Sequence, residues 1–481
     1  MAHSTREDRR SFLRGLSTML AGGAAYALLP QLEMAGRAVA AEAPGDYRAM
    51  VCIFLFGGSD SYNMLIPHAS GEYDIYNASR GGVYDATSNP FGLGIARDQL
   101  LQINDASINK TWGLQPTCGG MKSLFDAGEL AFLANIGTLA TPVTKDEVNR
   151  KTKLLPSYLY SHSDQQKQWM GGSSAQTMST GWGGRTADRL KAFNTTMPAL
   201  PPGISLAGNN LYQLGASTLP YAVASSGPTA TRRFSATGSK ADKIRDEALQ
   251  ALIQREYTPV LTDQYGLLSD SAIQLNLTLQ SALLPANGGD IATTFPANNG
   301  LANQLRMIAR LIKAGRSSTI GHRRQVFFAS MGGFDTHQNQ MAPNGHGALL
   351  GQLSEALAAF RTALAEVNSL NDVVTFSMSD FGRTLNSNGN GTDHAWGGVQ
   401  LVMGGSAANG GPLQGGRVWG DYPLLELNGP QSLGRGRMIP TMSVGQLGAT
   451  VSSWFGVGSS ELQTIFPGLN NFATPKVPFL V

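Results

Sequence analysis

Two short apolar runs late in the chain are each followed by carboxylate and imidazole side chains. Residues 325–330 and 372–378 are rich in β-branched and aromatic residues and are bounded by polar or glycine residues, which is typical of buried strands. Asp335 and His337 follow the first run, and Asp380 follows the second. Because open α/β sheets bind ligands at the carboxyl ends of their strands, we expect these side chains to lie close together.

Further ligand candidates occupy similar positions. Asp393 and His394 follow the second run and precede another apolar run at 399–403. Asp60 comes after a first apolar run at 48–56 and a glycine turn. Carboxylates and neutral imidazoles are the usual ligands of zinc and related divalent ions, so the pattern predicts a metal site.

The segment between the two late strands predicts the fold class. Residues 346–367 carry apolar side chains at spacings of three and four, which predicts a long helix with one buried face. A strand, a helix and a second strand in succession form a βαβ unit with parallel strands. Upstream, the pattern predicts a helix at 120–127 and a strand at 130–135. We therefore predict an α/β fold.

The middle of the chain differs in composition. Residues 191–299 are rich in Ser, Thr, Pro, Asn and Gly, interrupted by a charged helix near 241–257 and an apolar helix near 267–283. This composition indicates an insertion or cap over the sheet. A helix at 301–314 then returns the chain to the core.

The first 40 residues have the organisation of a twin-arginine signal peptide. Arg9 and Arg10 precede a moderately apolar stretch at 16–29, and the small residues 38–40 offer a cleavage site. The apolar stretch is short and contains two glycines, which argues against a membrane span. We expect a single domain over 41–481, exported through the twin-arginine translocase to the periplasm or the medium; the alternative is an ordinary helix that begins with two arginines.

Composition excludes several classes of function. Net charge is only +3, and no basic stretch with interleaved aromatic residues occurs, so we predict no nucleic-acid partner. After the leader there is no long uncharged apolar run, so we predict no membrane span in the mature chain. Cys52 and Cys118 could pair after export, but Cys52 lies within an apolar run, which favours a buried thiol.

Taken together, the leader and the polar motifs resemble one bacterial family, the domain of unknown function 1501 family. The likeness spans essentially the whole mature chain. Besides the paired arginines, the motifs that carry it are at residues 57–60, 161–162, 333–337, 379–384 and 391–398.

That family is similar to a branch of the alkaline phosphatase and sulfatase superfamily. The resemblance implies a mainly parallel sheet between helices, with a divalent-metal site at the strand ends. The positions that match the superfamily's ligand pattern are Asp60, Asp335, His337, Asp380 and His394.

One position departs from the superfamily pattern. Phe381 stands where the second member of an Asp-His pair is expected. Two zinc ions need roughly six protein ligands, so this departure leaves one ion short of a ligand. Asp393 or His162 fills the gap, or a single metal serves, or the site is degenerate. Zinc is the first expectation for the metal, with calcium and magnesium as alternatives.

Two residues are candidates for catalysis. Ser161 precedes a predicted helix start, where backbone N–H groups favour anions, and Ser59 and Ser61 compete with it as nucleophiles. Arg383 can bind a phosphate or sulfate bidentately, or it can clamp a carboxylate in a loop.

Two functions remain open from the sequence. The first is an exported metal-dependent hydrolase, acting on a small-molecule or polymeric phosphate or sulfate ester. The second is a protein of the same fold that has lost catalysis and serves in binding or assembly at the cell envelope. Phe381 favours the second function, and the Asp and His residues elsewhere favour the first.

Overall fold

A computed structural model describes residues 47–174, 177–194, 201–228, 238–318 and 320–481. The predicted signal peptide at 1–40 lies outside the described residues.

A nine-stranded sheet forms the centre of the molecule. Its strands, in chain order, are β1 (Arg48–Leu55), β5 (Leu130–Gly137), β6 (Gly203–Ser205), β7 (Tyr221–Ala222), β8 (Arg324–Met331), β9 (Val373–Ser379), β10 (Gly398–Met403), β11 (Arg417–Trp419) and β14 (Met442–Ser443). The spatial order is β11-β5-β10-β9-β1-β8-β6-β7, with β14 also paired to β5. Strand β10 runs antiparallel to both of its neighbours, and the other described ladders of this sheet are parallel.

The predicted βαβ unit is present, with an additional strand at its centre. Strands β8 and β9 both run parallel to β1, one on each side of it. At the middle of this ladder, Cys52 lies opposite Phe328 and Phe376. The prediction of parallel strands is confirmed, although the sequence did not indicate that β1 separates them.

Helices cover both faces of the sheet. They are α1 (Ser70–Ser79), α2 (Gly119–Asp126), α3 (Lys145–Arg150), α4 (His162–Gly171), α5 (Trp182–Leu190), α6 (Lys240–Ile253), α7 (Val260–Ala282), α8 (Gly300–Gly315), α9 (His346–Glu366), α10 (Val444–Phe455) and α11 (Ser459–Ile465).

The alternation of side chains along β1 shows how the two faces are filled. Ala49, Val51 and Ile53 pack into the apolar core shared with α2, α8 and α9. Cys52 and Phe54 point the other way, into a second core with α5, α10 and α11. A strand that is buried on both faces carries apolar side chains at successive positions rather than at alternate ones, which explains the continuous apolar sequence of β1. The predicted α/β fold with a mainly parallel sheet between helices is confirmed.

Two smaller sheets lie outside the main one. The first comprises β2 (Leu65–Pro67), β3 (Leu101–Asp105) and β4 (Lys110–Leu114). The second is a hairpin of β12 (Ser432–Leu433) and β13 (Arg437–Met438), which lies near the candidate site.

The segment at 191–299 contributes to the sheet as well as to the surface. Its strands β6 and β7 extend the sheet beyond β8, and α6 contacts α7. Its interpretation as an insertion or cap stays a prediction. Among the described helices, none is both long and apolar enough to cross a membrane. Cys52 and Cys118 are buried, free thiols.

Candidate metal centre

The carboxyl edge of the parallel strands collects the predicted polar residues. Asp335 follows β8, and Asp380 follows β9 directly. Because β10 is antiparallel to β9, the loop that leads into it lies at the same edge and brings Asp393 and His394 there. This arrangement explains why residues from three segments of the chain meet.

Helix α4 supplies another imidazole from a distant part of the sequence. His162 is its first residue, after Ser161 in extended conformation at the N-cap position. The helix is fixed by the buried Trp169 and by Gln165, whose side chain accepts a hydrogen bond from Thr138 at 2.5 Å.

Three imidazoles converge on the carboxylate of Asp335. The Nε2 atoms of His337 and His394 lie 3.0 and 3.2 Å from Asp335 Oδ1. The Nε2 atom of His162 lies 3.4 Å from Asp335 Oδ2. His162, Asp335 and His394 each offer one ligand atom, and these three atoms lie within 4.8 Å of one another.

The other nitrogen of each ring is held by an acceptor. His162 Nδ1 lies 2.5 Å from Asp380 Oδ2, and His337 Nδ1 lies 3.0 Å from Asp393 Oδ1. His394 Nδ1 lies 2.8 Å from the backbone carbonyl of Tyr160. A carbonyl or an ionised carboxylate only accepts, so each Nδ1 carries the proton. The three Nε2 atoms therefore face Asp335, where each can offer its lone pair to a cation.

One contact between two of these rings requires a positive charge. His337 Nε2 and His394 Nε2 are 2.8 Å apart, and with both Nδ1 atoms protonated their lone pairs face each other. Burial lowers the pKa of His394, and Arg383 and His162 lower it further, against the opposing effects of the Tyr160 carbonyl and Asp335. His394 is therefore mainly neutral near pH 7, and a cation shared by both rings would relieve the contact.

The three carboxylates differ in their surroundings. Asp335 is 44% exposed; burial raises its pKa, but Arg383, His337 and His162 together lower it below the usual range. For Asp393, burial again opposes the shift, and Asn388, His337 and Arg435 lower the pKa to about 2.

Asp380, by contrast, is fully buried. Its Oδ2 accepts from Gln166 at 3.0 Å as well as facing His162. Its Oδ1 has no hydrogen-bond partner within the described residues. A buried carboxylate oxygen without a partner is costly, which makes it a feature to be explained by function.

The guanidinium of Arg383 is buried and hydrogen-bonded to the loops around the cluster. Its Nη1 donates to Asp335 Oδ1 at 2.7 Å and to the carbonyl of Gly57 at 3.0 Å. Its Nε donates to the Thr392 hydroxyl at 3.1 Å, and its Nη2 donates to the Thr392 carbonyl. This geometry favours the clamp over direct substrate binding, and a catalytic role for Arg383 stays a prediction.

Phe381 packs between two of the imidazoles. Its ring centre lies 4.9 Å from that of His162 and 4.5 Å from that of His394. A Cβ on Gly58 would lie 2.5 Å from this ring, so only glycine fits there. Phe381 therefore buttresses the rings at the position where the superfamily pattern would place a ligand.

Asp60 is not brought into this cluster. Its carboxylate is paired with the guanidinium of Arg80 through two contacts, of 2.7 and 3.0 Å, and both side chains are fully buried. Gln340 Nε2 donates to Asp60 Oδ2 at 2.5 Å. The other six predicted ligands are connected through the contacts described above, whereas Asp60 belongs to a separate buried ion pair.

The three candidate serines have different environments. Ser161 lies beside His162, and its hydroxyl donates to Asp164 Oδ2 at 2.6 Å. Ser59 Oγ lies 3.4 Å from His346 Nε2 in the interior. Ser61 Oγ accepts from the backbone N–H of Val399 at 2.7 Å. Only Ser161 of the three adjoins a residue of the cluster in the chain, and its role as nucleophile stays a prediction.

The sequence analysis missed the hairpin of β12 and β13. Arg435 pairs with Asp393 Oδ2, and Arg437 Nε donates to the carbonyl of His394 at 3.0 Å. The guanidinium of Arg437 lies 4.8 Å from the centre of the Tyr160 ring. The alternation of glycine and arginine over residues 434–437 is a turn signal with two cations, and it could have directed attention here.

Fold and cluster together define a mainly parallel α/β protein with a histidine–carboxylate centre at the carboxyl edge of its sheet. A family model described as "Protein of unknown function (DUF1501)" matches residues 47–428. The chain belongs to this family, which confirms the resemblance drawn from its motifs.

Two solved structures illustrate a distant similarity. The C-terminal periplasmic domain of EcEptC from Escherichia coli, in complex with Zn, is 8% identical with a TM-score of 0.35; the match covers 87% of this chain and 85% of that one. The PsFucS1 sulfatase from Pseudoalteromonas sp. is 10% identical with a TM-score of 0.29, over 88% of this chain and 69% of that one. No curated protein matches the sequence.

Proposed function

We propose that this protein is an exported metal-dependent hydrolase of phosphate or sulfate esters, located in the periplasm or the medium. The observation that carries the proposal is the convergence of three imidazole Nε2 atoms on Asp335 while each Nδ1 is held by an acceptor. Metal-binding histidines are usually oriented in this way, by a carboxylate or carbonyl on the second nitrogen.

The donor set fits one zinc ion. His162, Asp335 and His394 would hold it, with His337, whose Nε2 lies 2.8 Å from that of His394, as the fourth ligand. Imidazoles with one carboxylate suit zinc better than calcium or magnesium, which prefer oxygen ligands. Asp380 and Asp393 then orient His162 and His337. Since Asp60 is bound by Arg80, we propose one ion per chain.

A divalent ion at this position would supply a Lewis acid that polarises an ester oxygen. The chain's own residues supply the rest. Asp164 Oδ2 accepts the hydrogen bond of the Ser161 hydroxyl and is placed to take its proton. Arg383 fixes the carboxylate of Asp335 within the cluster.

Metal analysis tests the proposal directly. Mature protein purified without chelators should contain about one divalent ion per chain and should hydrolyse generic phosphate or sulfate esters. His394→Ala should lose the metal and the activity. The matched control is His68→Ala, because within the described residues His68 hydrogen-bonds through its backbone carbonyl, to Arg97, and not through its imidazole. A folded wild type that contains no metal would contradict the proposal.

A second function is favoured by Phe381 and Asp60. Phe381 fills a position where a ligand is expected, and Asp60 is unavailable to a second ion. On this alternative the chain binds the metal without hydrolysing esters and acts in binding or assembly at the cell envelope. Full metal occupancy in the wild type with no turnover of any phosphate or sulfate ester would favour it.

A further inference from the structure

We propose that helix α7 is a self-association surface, through which this protein pairs with the same helix of a second copy. The pairing surface is a stripe of three exposed apolar side chains, Leu261, Tyr265 and Leu268, in the first half of the helix. The stripe contains no residue of the metal centre, and the pairing does not depend on the proposed function.

The apolar side chains of α7 follow a seven-residue repeat. Its members are Leu261, Tyr265, Leu268, Ala272, Leu275 and Leu279. Spacings that alternate between four and three residues place all of them on one face of the helix. This pattern is typical of a helix that packs against another helix, with leucine at every second position of the seam. The repeat therefore indicates a helical partner along its whole length.

The core covers only the second half of this face. Leu275 and Leu279 are buried in the apolar core to which α8 and α9 also contribute. In the first half, Leu261, Tyr265 and Leu268 are 86%, 73% and 66% exposed. One continuous apolar face is thus half buried and half open, which marks the open half as an interaction surface.

Helix α6 packs on another face of α7. A Cβ on Gly266 would lie 2.7 Å from the backbone carbonyl oxygen of Ile253, so α6 approaches α7 at that position. Since an α-helix has about 3.6 residues per turn, Gly266 lies roughly 100–160° round the helix from the stripe. The contact between the two helices therefore leaves the stripe open.

The residues that border the stripe favour a second copy as the partner. The bordering positions hold Thr262, Gln264, Ser269 and Ser271, and none of these is charged. Charges at such positions decide which helices can pair, so an uncharged border causes no repulsion when the helix meets its own copy. Helix α7 also contains no Lys or Arg, the residues with which amphipathic helices bind anionic membranes.

The surface has the composition of a specific interface, which combines an apolar centre with a polar rim. In an antiparallel pair, the exposed halves of two copies overlap while the buried halves lie at opposite ends. Three large apolar side chains from each copy then form the centre, and the bordering Thr, Gln and Ser residues form the rim. Ile244 and Leu252 on the adjoining α6 are also more than half exposed and enlarge the apolar area.

Sedimentation velocity of the mature protein tests the pairing. The wild type should sediment as a dimer. Leu268→Glu should raise the dissociation constant at least about 100-fold, because a symmetric pair would bury the new charge twice. Its far-UV circular dichroism should match that of the wild type, since Leu268 is exposed in the single chain. The matched control is Leu277→Glu, because Leu277 is also more than half exposed on α7 but lies outside the repeat.

Several outcomes would overturn the inference. These are a wild type that stays monomeric at the highest concentration at which it is soluble, a dimer that Leu268→Glu leaves intact, or equal disruption by Leu277→Glu. A monomer that floats with phosphatidylglycerol vesicles, and no longer does so in Leu268→Glu, would assign the stripe to a membrane surface instead. A dimeric protein without metal would contradict the proposed function and leave the pairing standing.

Discussion

Asp60 and Asp335 follow neighbouring parallel strands through similar sequences, each two residues after a pair of glycines, yet their surroundings are opposite. Asp60 is fully buried, and both of its oxygens are occupied by Arg80 and Gln340. Asp335 is 44% exposed and faces three imidazoles as well as Arg383. The comparison shows that a carboxylate at a strand end can either stabilise the fold or bind a ligand, depending on the residues that contact it.

The energetic roles of the two sites should differ accordingly. A buried carboxylate that has lost its only cation is severely penalised, whereas a partly exposed one is still solvated by water. We therefore expect changes around Asp60 to act on folding, and changes around Asp335 to act on metal binding.

The largest effect should come from Arg80→Ala. It leaves Asp60 as an unpaired charge in the interior, which should lower the free energy of unfolding by about 3–5 kcal/mol, measured by urea denaturation. Lys122→Ala, which removes an exposed pair with Asp126, should cost no more than about 1 kcal/mol. Equal effects of the two variants would show that the Asp60 pair is not a structural element.

Acid should destabilise the Asp60 region through His346. Burial lowers the pKa of His346 to about 4, with Asp60 opposing the shift and Arg80 and Arg383 adding to it. The unfolded chain, with a pKa of about 6.5, therefore binds the proton more readily. The stabilising contribution is complete above pH 6.5 and is lost as the pH falls towards 4, about 3 kcal/mol in all.

Unfolding of the wild type and of His346→Gln across this pH range measures that contribution. The substitution should flatten the dependence of the free energy of unfolding on pH between 6.5 and 4. If both proteins showed the same slope, His346 would not be the titrating group.

Asp380→Asn should act on the metal rather than on folding alone. It removes the charge that orients His162, which should weaken metal affinity about 10- to 100-fold in competition with a chromophoric chelator. The control is Asp126→Asn, at an exposed position on α2. Unchanged affinity in Asp380→Asn would remove this residue from the proposed centre.

The smallest effect should follow from placing an imidazole at position 381. Phe381→His introduces the imidazole that the superfamily resemblance predicts, but Asp60 remains bound to Arg80, so the number of metal ions per chain should stay at the wild-type value. Elemental analysis measures this number. A gain of one ion would show that Asp60 can be released and that the two regions are not independent.

Local patterns in the sequence predicted much of the fold. Helix α9 begins at His346 and ends within one residue of the prediction, and β8 and β9 lie where their apolar runs indicated, because these elements are specified by periodicity and burial. The position of β1 between β8 and β9 could not be predicted, because neighbouring relations in a sheet depend on pairing across the whole chain.

The same limit applies to the site. One group of site residues was predictable, because parallel strands end at one edge of the sheet. This group comprises Asp335, His337, Asp380, Asp393 and His394. The partner of Asp60 was not, since nothing in the sequence around Arg80 marks it as a buried cation. The arginines of the β12–β13 turn were also missed, because two-residue strands carry almost no periodic signal.

The antiparallel direction of β10 bears on the order in which the centre assembles. Strand β9, the loop with His394 and strand β10 form a local connection, in which Arg383 already pairs with His394 through the backbone. His162 reaches Asp380 across a separation of 218 residues. Because closing long loops is slow, we expect the local half to form early in folding and His162 to join last. Full metal affinity would then mark a chain that has completed its folding.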